Sequence, residues 1–554
     1  MADDATDFVV VGSGAAGLTG ALVAALGGAR VTVLEKTELV GGTTAVSGGG
    51  AWIPCNPHLA DVGVQDSRDD ALTYLRACVG DAGDDDHLVA LVDHGAEMVR
   101  LLENEGGLRF QAWPAIGGTI DYRPWLPGAK RGGRTLECTG FSLSALGDWA
   151  GKLRTEPRLR SRTNLLEYYA QQMHLQPPAS STSSAEVAGD DGDTYWRGTA
   201  LVGHLLRACL QRGVEVLVET PATELVLEDG RIAGVSALRG GQPVEFGAAH
   251  VLVATGGYTN NEELKRLWLN RPLDYTCDIA ANRGDGHLMG IAAGAQVAGL
   301  GDAWWMPHIP LGGEDGAVNA AGTREDRILP HTMMVSGAGI RFMNEAVNYY
   351  DAGEAFGSRS GATPRNFPAW FVFDQQGVER YALLAWKILV REEAPEWLHV
   401  ADSIEALADS IGVDATTLRA TIERFNDFAR SGVDEDFHRG ENPWDQAWGD
   451  PTNEPNPSLG TVEKAPFYAL PVYAGAIATR GGLRVDASGR VLSAAHGRPI
   501  PGLYAAGNCS NGSATGAYAG PGATIGAAMT FAYLVGRQVA AAVKSGSFPR
   551  SPAD

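Results

Sequence analysis

The chain has 554 residues, with 44 Lys and Arg against 66 Asp and Glu, so its formal net charge at pH 7 is -22. A chain of this length predicts at least two domains, and the acidic balance argues against nucleic-acid binding and against adhesion to an anionic membrane surface. The 72 glycines are nearly twice the usual share of roughly 7% and predict tight turns and close contacts between backbone and ligand.

Cysteine and histidine spacing and the apolar runs limit the class of protein further. The 6 cysteines form no C-x-x-C pair and the 12 histidines no metal-ligand spacing, so we expect reduced thiols and no bound metal. No apolar run reaches the roughly 18 residues that cross a bilayer, and the N-terminus carries no signal-peptide pattern. The sequence therefore predicts a cytoplasmic protein without a transmembrane segment.

The first predicted elements form a strand–turn–helix–strand unit at the start of the chain. An apolar run over 7–11 predicts a buried strand, 15–26 predicts an alanine-rich helix, and 29–34 predicts a second strand. This order of elements is typical of the opening of a doubly wound nucleotide-binding domain.

A glycine motif stands between the first strand and the helix, and it reads Gly12-Ser13-Gly14-Ala15-Ala16-Gly17. Its glycines turn the chain, admit a pyrophosphate and let the helix pack on the strand, while the phosphate would lie at the helix N-terminus. Glu35 follows 18 residues after Gly17, near the distance expected for a carboxylate that accepts hydrogen bonds from ribose hydroxyls. The two features together predict a dinucleotide site.

Further helices and strands are predicted along the chain, and one Pro/Ser-rich segment interrupts them. Helices are predicted within 66–105 and over 198–212 and 404–430, and strands over 215–218, 222–228, 231–239 and 250–254. A Pro/Ser-rich tract at 175–193 predicts a flexible surface insertion. We expect an α/β fold: a Rossmann-like domain of parallel sheet and flanking helices, built from residues 1–308 and 478–554, with an α+β catalytic domain inserted at 309–477.

A second glycine-rich run, at 41–50, follows Glu35. Together with Ala254-Thr255-Gly256-Gly257 and Gly507-Asn508, it resembles the FAD-binding domain of the fumarate reductase/succinate dehydrogenase flavoprotein superfamily. The resemblance implies FAD, held noncovalently because no histidine precedes His58. It also implies cofactor contacts at Lys36, Gly42, Thr43, Thr44, Ser47, Gly49, Ala222, Thr255, Gly256, Asp285, Gly507, Asn508, Ala523 and Ile525.

The most specific stretch is a C-terminal loop that reads Tyr518-Ala519-Gly520-Pro521-Gly522-Ala523-Thr524-Ile525-Gly526. Here the chain is similar to the 3-ketosteroid Δ1-dehydrogenases, over nearly its whole length. The resemblance implies FAD-dependent 1,2-desaturation of a 3-ketosteroid in steroid degradation, with electrons passing to an external acceptor of unknown identity.

The resemblance implies roles for four residues, and the chemistry of the reaction explains why each is needed. A proton leaves the carbon alpha to the ketone and a hydride leaves its neighbour for flavin N5, so donors must face the carbonyl oxygen. The Tyr518 hydroxyl and the Gly522 backbone N–H match those donors. Tyr349 matches the base and Tyr122 the tyrosine that assists it by a hydrogen bond. Because Asn348 replaces the family's usual proline, Tyr350 stays open as an alternative base.

Other interpretations also stay open. A related ketosteroid desaturase acting at the 4,5 bond, or a dehydrogenase of a smaller cyclic ketone, would need a differently shaped pocket. A fumarate-reductase-like enzyme would need arginine clamps, yet the segment from Asn508 to Ile525 contains no Arg, Lys or His. A flavin-binding electron carrier would not need the tyrosine-rich inserted domain.

Overall fold

A computed structural model of the protein describes residues 6–80, 83–114, 120–155, 164, 193–310, 320–322, 326–357, 366–381, 397–512 and 518–546. The chain forms two compact units. The first comprises Met1–Leu264, Ile279–Asp302 and Thr479–Asp554, and the second comprises Lys265–Asp278 and Ala303–Ala478. The domain bounds expected from the sequence stay predictions, and the tract at 175–193 lies outside the described residues except for its last residue.

The strands and helices are numbered in chain order. The strands are β1 (Phe8–Val11), β2 (Val31–Leu34), β3 (Ala51–Trp52), β4 (Phe110–Ala112), β5 (Thr135–Cys138), β6 (Phe141–Ser142), β7 (Thr194–Tyr195), β8 (Glu215–Leu217), β9 (Ala222–Glu228), β10 (Arg231–Arg239), β11 (Gln242–Gly247), β12 (His250–Val253), β13 (Tyr275–Thr276), β14 (Val297–Pro310), β15 (Ala320–Gly322), β16 (Thr332–Val335), β17 (Ala369–Asp374), β18 (His399–Ala401), β19 (Phe467–Leu483), β20 (Arg490–Leu492) and β21 (Pro499–Ala505). The helices are α1 (Ala15–Leu26), α2 (Gly42–Ala45), α3 (Arg68–Val79), α4 (Asp85–Asn104), α5 (Arg197–Gln211), α6 (Glu262–Trp268), α7 (Asp285–Ala292), α8 (Tyr349–Phe356), α9 (Gln375–Arg380), α10 (Ile404–Ile411), α11 (Ala415–Ser431), α12 (Pro443–Trp448) and α13 (Ala523–Ser545), with short 3₁₀ segments at Leu59–Val62, Leu143–Lys152 and Asp326–Ile328.

A six-stranded sheet in the order β20-β21-β12-β1-β2-β8 organises the first unit. β1 pairs in parallel with β2 and β12, and β21 pairs in parallel with β12. Every residue of β1 and β2 is buried, which explains why their sequences are continuously apolar rather than alternating. Because parallel strands end at a common edge, the loops after β1, β2, β12 and β21 open at the same side of this sheet.

Helices α1 and α13 pack closely on each other beside that sheet. A β-carbon at Gly536 would lie 2.7 Å from the Gly20 carbonyl oxygen, and one at Gly27 would lie 2.1 Å from the β-carbon of Ala540. The alanine and glycine content of both helices therefore allows a backbone separation that larger residues would prevent. This packing fixes where the N-terminus of each helix lies in the unit.

The second unit is built on a sheet in the order β15-β14-β19-β17-β16, with β13 and β18 also pairing with β19. Trp304 and Trp305 on β14 and Phe371 and Phe373 on β17 are buried in the core. The helical pair expected at 404–430 is present as α10 and α11, separated where Gly412 adopts a φ of +69°. The Asp414 side chain then caps α11 by accepting from the Thr417 N–H at 2.8 Å.

Two features are absent from the described ranges. No helix there combines the length and apolar character needed to span a bilayer. In the same ranges, no three His, Cys, Asp or Glu side chains converge into a metal-binding group.

Candidate active site

A cleft opens where β1 ends and α1 begins. Gly12 has a φ of +107°, and a β-carbon there would lie 2.4 Å from the Ala254 carbonyl oxygen. A β-carbon at Gly17 would lie 1.9 Å from the Gly12 carbonyl oxygen, so two of the motif glycines are required by the protein's own packing. At Gly14 a β-carbon would make only ordinary contact, 3.5 Å from the Thr44 hydroxyl. That position leaves space for a ligand.

Most of the cofactor contacts expected from the sequence line this cleft. They are Gly12, Ser13, Gly14, Ala15, Ala16, Glu35, Lys36, Gly42, Thr43, Thr44, Ala222, Thr255, Gly256, Asp285, Gly507, Asn508 and Ile525. Four expected contacts lie beside the lining instead: Gly17, Ser47, Gly49 and Ala523. Gly49 is held by packing, since a β-carbon there would lie 2.3 Å from the Arg197 carbonyl carbon. The lining set spans all four loops at the common sheet edge.

The Glu35 carboxylate is buried and held by its neighbours. Its Oε2 accepts from the Ser13 hydroxyl at 2.5 Å, and its Oε1 accepts from the backbone N–H and the hydroxyl of Thr37 at 2.8 and 2.9 Å. A carboxylate offers about four lone-pair sites, so capacity remains for hydroxyls of a ligand. The orientation of Glu35 is therefore set before any ligand binds.

Contacts between loops shape the rest of the cleft. Lys36 Nζ and Asp285 Oδ2 form an ion pair at 2.5 Å. Asn282 Nδ2 donates to the Thr43 hydroxyl at 2.9 Å, and the sequence analysis missed Asn282 because no motif marks it. Thr524 and Ala528, on the first turns of α13, also line the cleft; Thr524 stands inside the C-terminal motif but was not assigned a cofactor contact, and Ala528 follows that motif.

The residues present fit FAD. The N-terminus of α1 follows Gly14, which supplies no side-chain cap. The Ala15 N–H donates to the Thr44 hydroxyl at 3.1 Å, and the rest of the first turn and the helix dipole favour a pyrophosphate in the cleft. Glu35 lines the cleft and would offer a carboxylate acceptor to ribose hydroxyls, and Gly14 leaves room for the ligand beside it. The empty space in and in front of the cleft, open solvent included, is about 960 Å³.

Replacing Glu35 with glutamine will weaken FAD binding. A hydrogen bond to a charged group contributes about 1.5–3 kcal/mol, so we expect the Kd of FAD to rise about 10- to 100-fold. Fluorescence titration of the deflavinated protein measures this. Glu38→Gln, three residues on and exposed, is the matched control; equal losses in both variants, or no loss at Glu35, would contradict the assignment.

Tyr518 lies in the same unit, on a loop joined to Tyr122. Their rings stack with centroids 5.3 Å apart and an interplanar angle of 17°, and both side chains are buried. The Tyr122 N–H donates to the Ala519 carbonyl at 3.0 Å, and the Tyr74 hydroxyl donates to the same oxygen at 2.6 Å. The sequence analysis did not single out Tyr74, because nothing local distinguishes it.

Gly522 follows on this loop and ends it as the N-cap of α13, with a φ of +87°. A β-carbon at position 522 would lie 2.3 Å from the Gly50 carbonyl oxygen, so only glycine fits. The Gly522 carbonyl accepts from the Trp52 N–H at 3.1 Å. Within the described part of the chain, the Gly522 N–H meets no protein acceptor, which leaves it available to a ligand.

A buried ion cluster lies beneath the loop. Arg134 donates to Asp121 at 2.7 Å and to Asp66 at 2.7 Å, and Asp121 also accepts from the Trp52 indole at 2.8 Å. Burial by itself lowers the pKa of Arg134, but the two carboxylates outweigh it and raise that pKa above its ordinary value. The guanidinium therefore stays charged and ties three segments of the unit together.

The tyrosines at 349 and 350 open α8 in the second unit. The Asn348 side chain caps this helix: its Oδ1 accepts from the Asp351 N–H at 3.0 Å. Tyr350 is 5% exposed and contacts Trp304, with ring centroids 6.0 Å apart, whereas Tyr349 is partly exposed. The expected hydrogen bond between Tyr122 and Tyr349 stays a prediction.

Charged groups fix the segment that leads into α8. The buried Glu345 accepts from Arg341 at 2.9 and 2.7 Å and from Arg439 at 3.2 Å. Burial by itself raises the pKa of Glu345, but the guanidinium groups outweigh it and lower that pKa below its ordinary value. Arg341 also bonds Asp434 at 3.0 and 2.8 Å. Glu345 therefore stays charged and anchors the backbone four residues before Tyr349.

Comparison with known proteins identifies relatives over nearly the whole chain. The model of the FAD binding domain family matches residues 7–525, which confirms the expected cofactor. A 4-oxocyclohexanecarboxylate 2-dehydrogenase of Sinomonas cyclohexanicum is 39% identical, with 96% of this chain and 92% of that protein covered. A 3-oxosteroid 1-dehydrogenase of Mycolicibacterium smegmatis is 37% identical, with 97% of each covered.

A solved structure shows the same fold. The 3-ketosteroid Δ1-dehydrogenase from Sterolibacterium denitrificans, determined in complex with 1,4-androstadiene-3,17-dione, superposes with a TM-score of 0.89 at 32% identity. The match covers 98% of this chain and 100% of that chain. Mixed parallel and antiparallel sheets with helices, as described above, therefore form an FAD-binding fold.

Proposed function

The chain belongs to the FAD binding domain family and, within it, to the group that contains the 3-oxosteroid 1-dehydrogenases, and on this premise we propose that it desaturates 3-ketosteroids at the 1,2 bond. The observation that carries the proposal is the loop from Tyr518 to Gly522. It combines the phenol of Tyr518 with the Gly522 backbone N–H, which meets no acceptor among the residues that the structure describes, and it carries no cationic side chain. Such a loop suits a neutral ketone better than a dicarboxylate.

The loop's two donors act on the ketone oxygen. As a proton leaves the alpha carbon, negative charge develops on that oxygen, and pre-aimed donors stabilise it without reorganising. We assign this to the Tyr518 hydroxyl and the Gly522 N–H. The stack of Tyr122 on Tyr518 and the two donors to the Ala519 carbonyl hold the phenol in place.

Tyr349 is the proposed base. Its position in the first turn of α8 supports this, because the positive end of the helix dipole favours a phenolate over a phenol. An ordinary tyrosine has a pKa of about 10, so a donor such as Tyr122 would lower it further toward working pH. FAD, when bound, would supply the acceptor for the hydride that leaves the neighbouring carbon, and an external acceptor would be needed to reoxidise it.

We also propose a Rossmann-like FAD-binding domain with a catalytic domain inserted into it. The parallel strands of the first unit and their glycine loops support a Rossmann-like, noncovalent FAD site. Segments from both chain ends form this unit, which supports a catalytic domain inserted between them.

A second candidate function has one observation in its favour. The relative that acts on 4-oxocyclohexanecarboxylate is as similar to this chain as the steroid enzymes are, at 39% against 37% identity. A monocyclic ketone undergoes the same loss of a proton and a hydride from adjacent carbons. The two candidates therefore share the mechanism and differ in the size and charge of the substrate.

Anaerobic titration separates them. We expect androst-4-ene-3,17-dione to bleach the flavin absorbance and to yield a product lighter by two hydrogens, the added double bond lying at carbons 1 and 2. An equimolar titration with 4-oxocyclohexanecarboxylate is the matched comparison. Bleaching by the monocyclic acid alone would transfer the assignment to the second candidate, and bleaching by neither ketone would reject both.

A further inference from the structure

The backbone N–H of Gly522 can act on a ketone oxygen only if its peptide plane is held at one angle. That plane contains the Pro521 carbonyl, and in a trans peptide the carbonyl and the following N–H point in opposite directions. The bond between Pro521 and Gly522 is not among the cis peptides of the described residues. Whatever holds the Pro521 oxygen therefore aims the Gly522 N–H.

Thr135 holds that oxygen. Its hydroxyl donates to the Pro521 carbonyl at 2.8 Å, and the side chain is 1% exposed. The Thr135 methyl group faces Gly50, 3.3 Å from the position that a β-carbon there would take. The hydrogen bond to Pro521 therefore directs the hydroxyl at the loop while the methyl group lies on the Gly50 side.

Thr135 does not act on the loop alone. It pairs with Trp52 across β3 and β5, and the Trp52 N–H donates to the next carbonyl, that of Gly522, at 3.1 Å. Two cross-strand neighbours thus bind two successive loop carbonyls. Both carbonyls point at the β3–β5 sheet, and the Gly522 N–H points away from it.

We propose that Thr135 is a positioning residue that aims the Gly522 N–H at the substrate oxygen; this rests on the proposed function. Thr135 itself touches no reacting atom in this assignment. Its hydroxyl contributes by excluding other orientations of one peptide plane. The aimed N–H therefore stabilises the enolising transition state, in which the negative charge on the oxygen is greatest, more than it strengthens binding of the ketone.

The test compares Thr135→Val, which keeps the shape and removes the hydroxyl, with Thr135→Ser, which restores it. For the valine variant we expect kcat to fall about 10- to 100-fold, below the 10²–10³-fold loss of a whole donor, with KM and the flavin spectrum unchanged. The serine variant should recover most of kcat. Thr530→Val is the matched control, since Thr530 is also buried and donates to a carbonyl in its own helix, that of Gly526 at 2.8 Å.

Proton abstraction is measured separately, in holoenzyme reduced under anaerobic conditions. Hydride transfer is then blocked, and uptake of solvent deuterium at the alpha carbon reports enolisation. Exchange should slow in parallel with kcat in Thr135→Val and recover in Thr135→Ser. Unchanged exchange in Thr135→Val, or an equal loss in the serine variant, would overturn the role of Thr135. If the wild-type enzyme neither catalyses deuterium exchange into a ketone nor oxidises one, the proposed function is wrong, and the inference about Thr135 is wrong with it.

Discussion

Replacing Tyr518 with phenylalanine will lower kcat about 10²- to 10³-fold, which corresponds to roughly 2.7–4 kcal/mol of lost transition-state stabilisation. The hydroxyl is one of two donors assigned to the ketone oxygen, and phenylalanine keeps the ring that stacks on Tyr122 at 5.3 Å. The loop should therefore keep its shape while losing a single hydrogen bond. Stopped-flow reduction of the flavin by androst-4-ene-3,17-dione measures the loss directly.

Tyr504→Phe is the matched control for this variant. Tyr504 is also buried in the first unit, and its hydroxyl bonds His250 at 3.2 Å. It should keep wild-type kcat, and both variants should retain flavin. A Tyr518→Phe enzyme with unchanged kcat would remove the phenol from the mechanism, and one that has lost its flavin would indicate a structural role.

Tyr349→Phe will remove the base and lower kcat about 10²- to 10⁴-fold, the usual contribution of general acid–base catalysis. Tyr350→Phe will have a much smaller effect, because that ring is 5% exposed and contacts Trp304, and phenylalanine preserves the contact. The pair of variants tests adjacent positions in the same helix, so a general disturbance of α8 would affect both.

The dependence of kcat on pH gives an independent check. A phenol that must lose its proton makes kcat rise with pH up to its own pKa, so the acid limb of the wild-type profile should disappear in Tyr349→Phe and persist in Tyr350→Phe. Deuterium exchange should fall with kcat in the first variant only. The opposite pattern would assign the base to Tyr350.

The nucleotide half of the molecule could be predicted because its signals are local. The predicted helix at 15–26 coincides with α1, and the apolar runs before and after it are β1 and β2. A strand buried on both faces, a glycine turn and a following helix are recognisable in a short window. Glu35, singled out by its spacing from the glycine motif, lines the cleft at that edge of the sheet, and its role as ribose acceptor stays a prediction.

In the second unit, local sequence patterns were not enough to predict the strands. β14 and β19 are long strands that the sequence analysis did not identify, because β19 is buried along nearly all of its length and shows no period of two. Trp304 and Trp305 on β14 and Phe371 and Phe373 on β17 are buried in the core, and no local pattern in the sequence distinguishes such burial from the lining of a cavity.

Contacts between distant parts of the chain could not be predicted from the sequence either. Tyr122 was expected to assist Tyr349, and no pattern indicated that its ring would stack on Tyr518. Tyr74 and Thr135 carry no motif, yet both bind the loop through single hydroxyls. Such roles depend on which carbonyl a hydroxyl reaches, and that depends on the complete fold.

The close approach of Gly522 to the Gly50 carbonyl, 2.3 Å for a β-carbon, also limits what an alignment of related enzymes can reveal. A glycine at this position would be retained for steric reasons even in a descendant that had lost ketone chemistry. Retention of a glycine at this position would therefore be no guide to shared substrates. Evolutionary divergence of activity should instead be sought at Tyr518, whose side chain can change without a backbone collision.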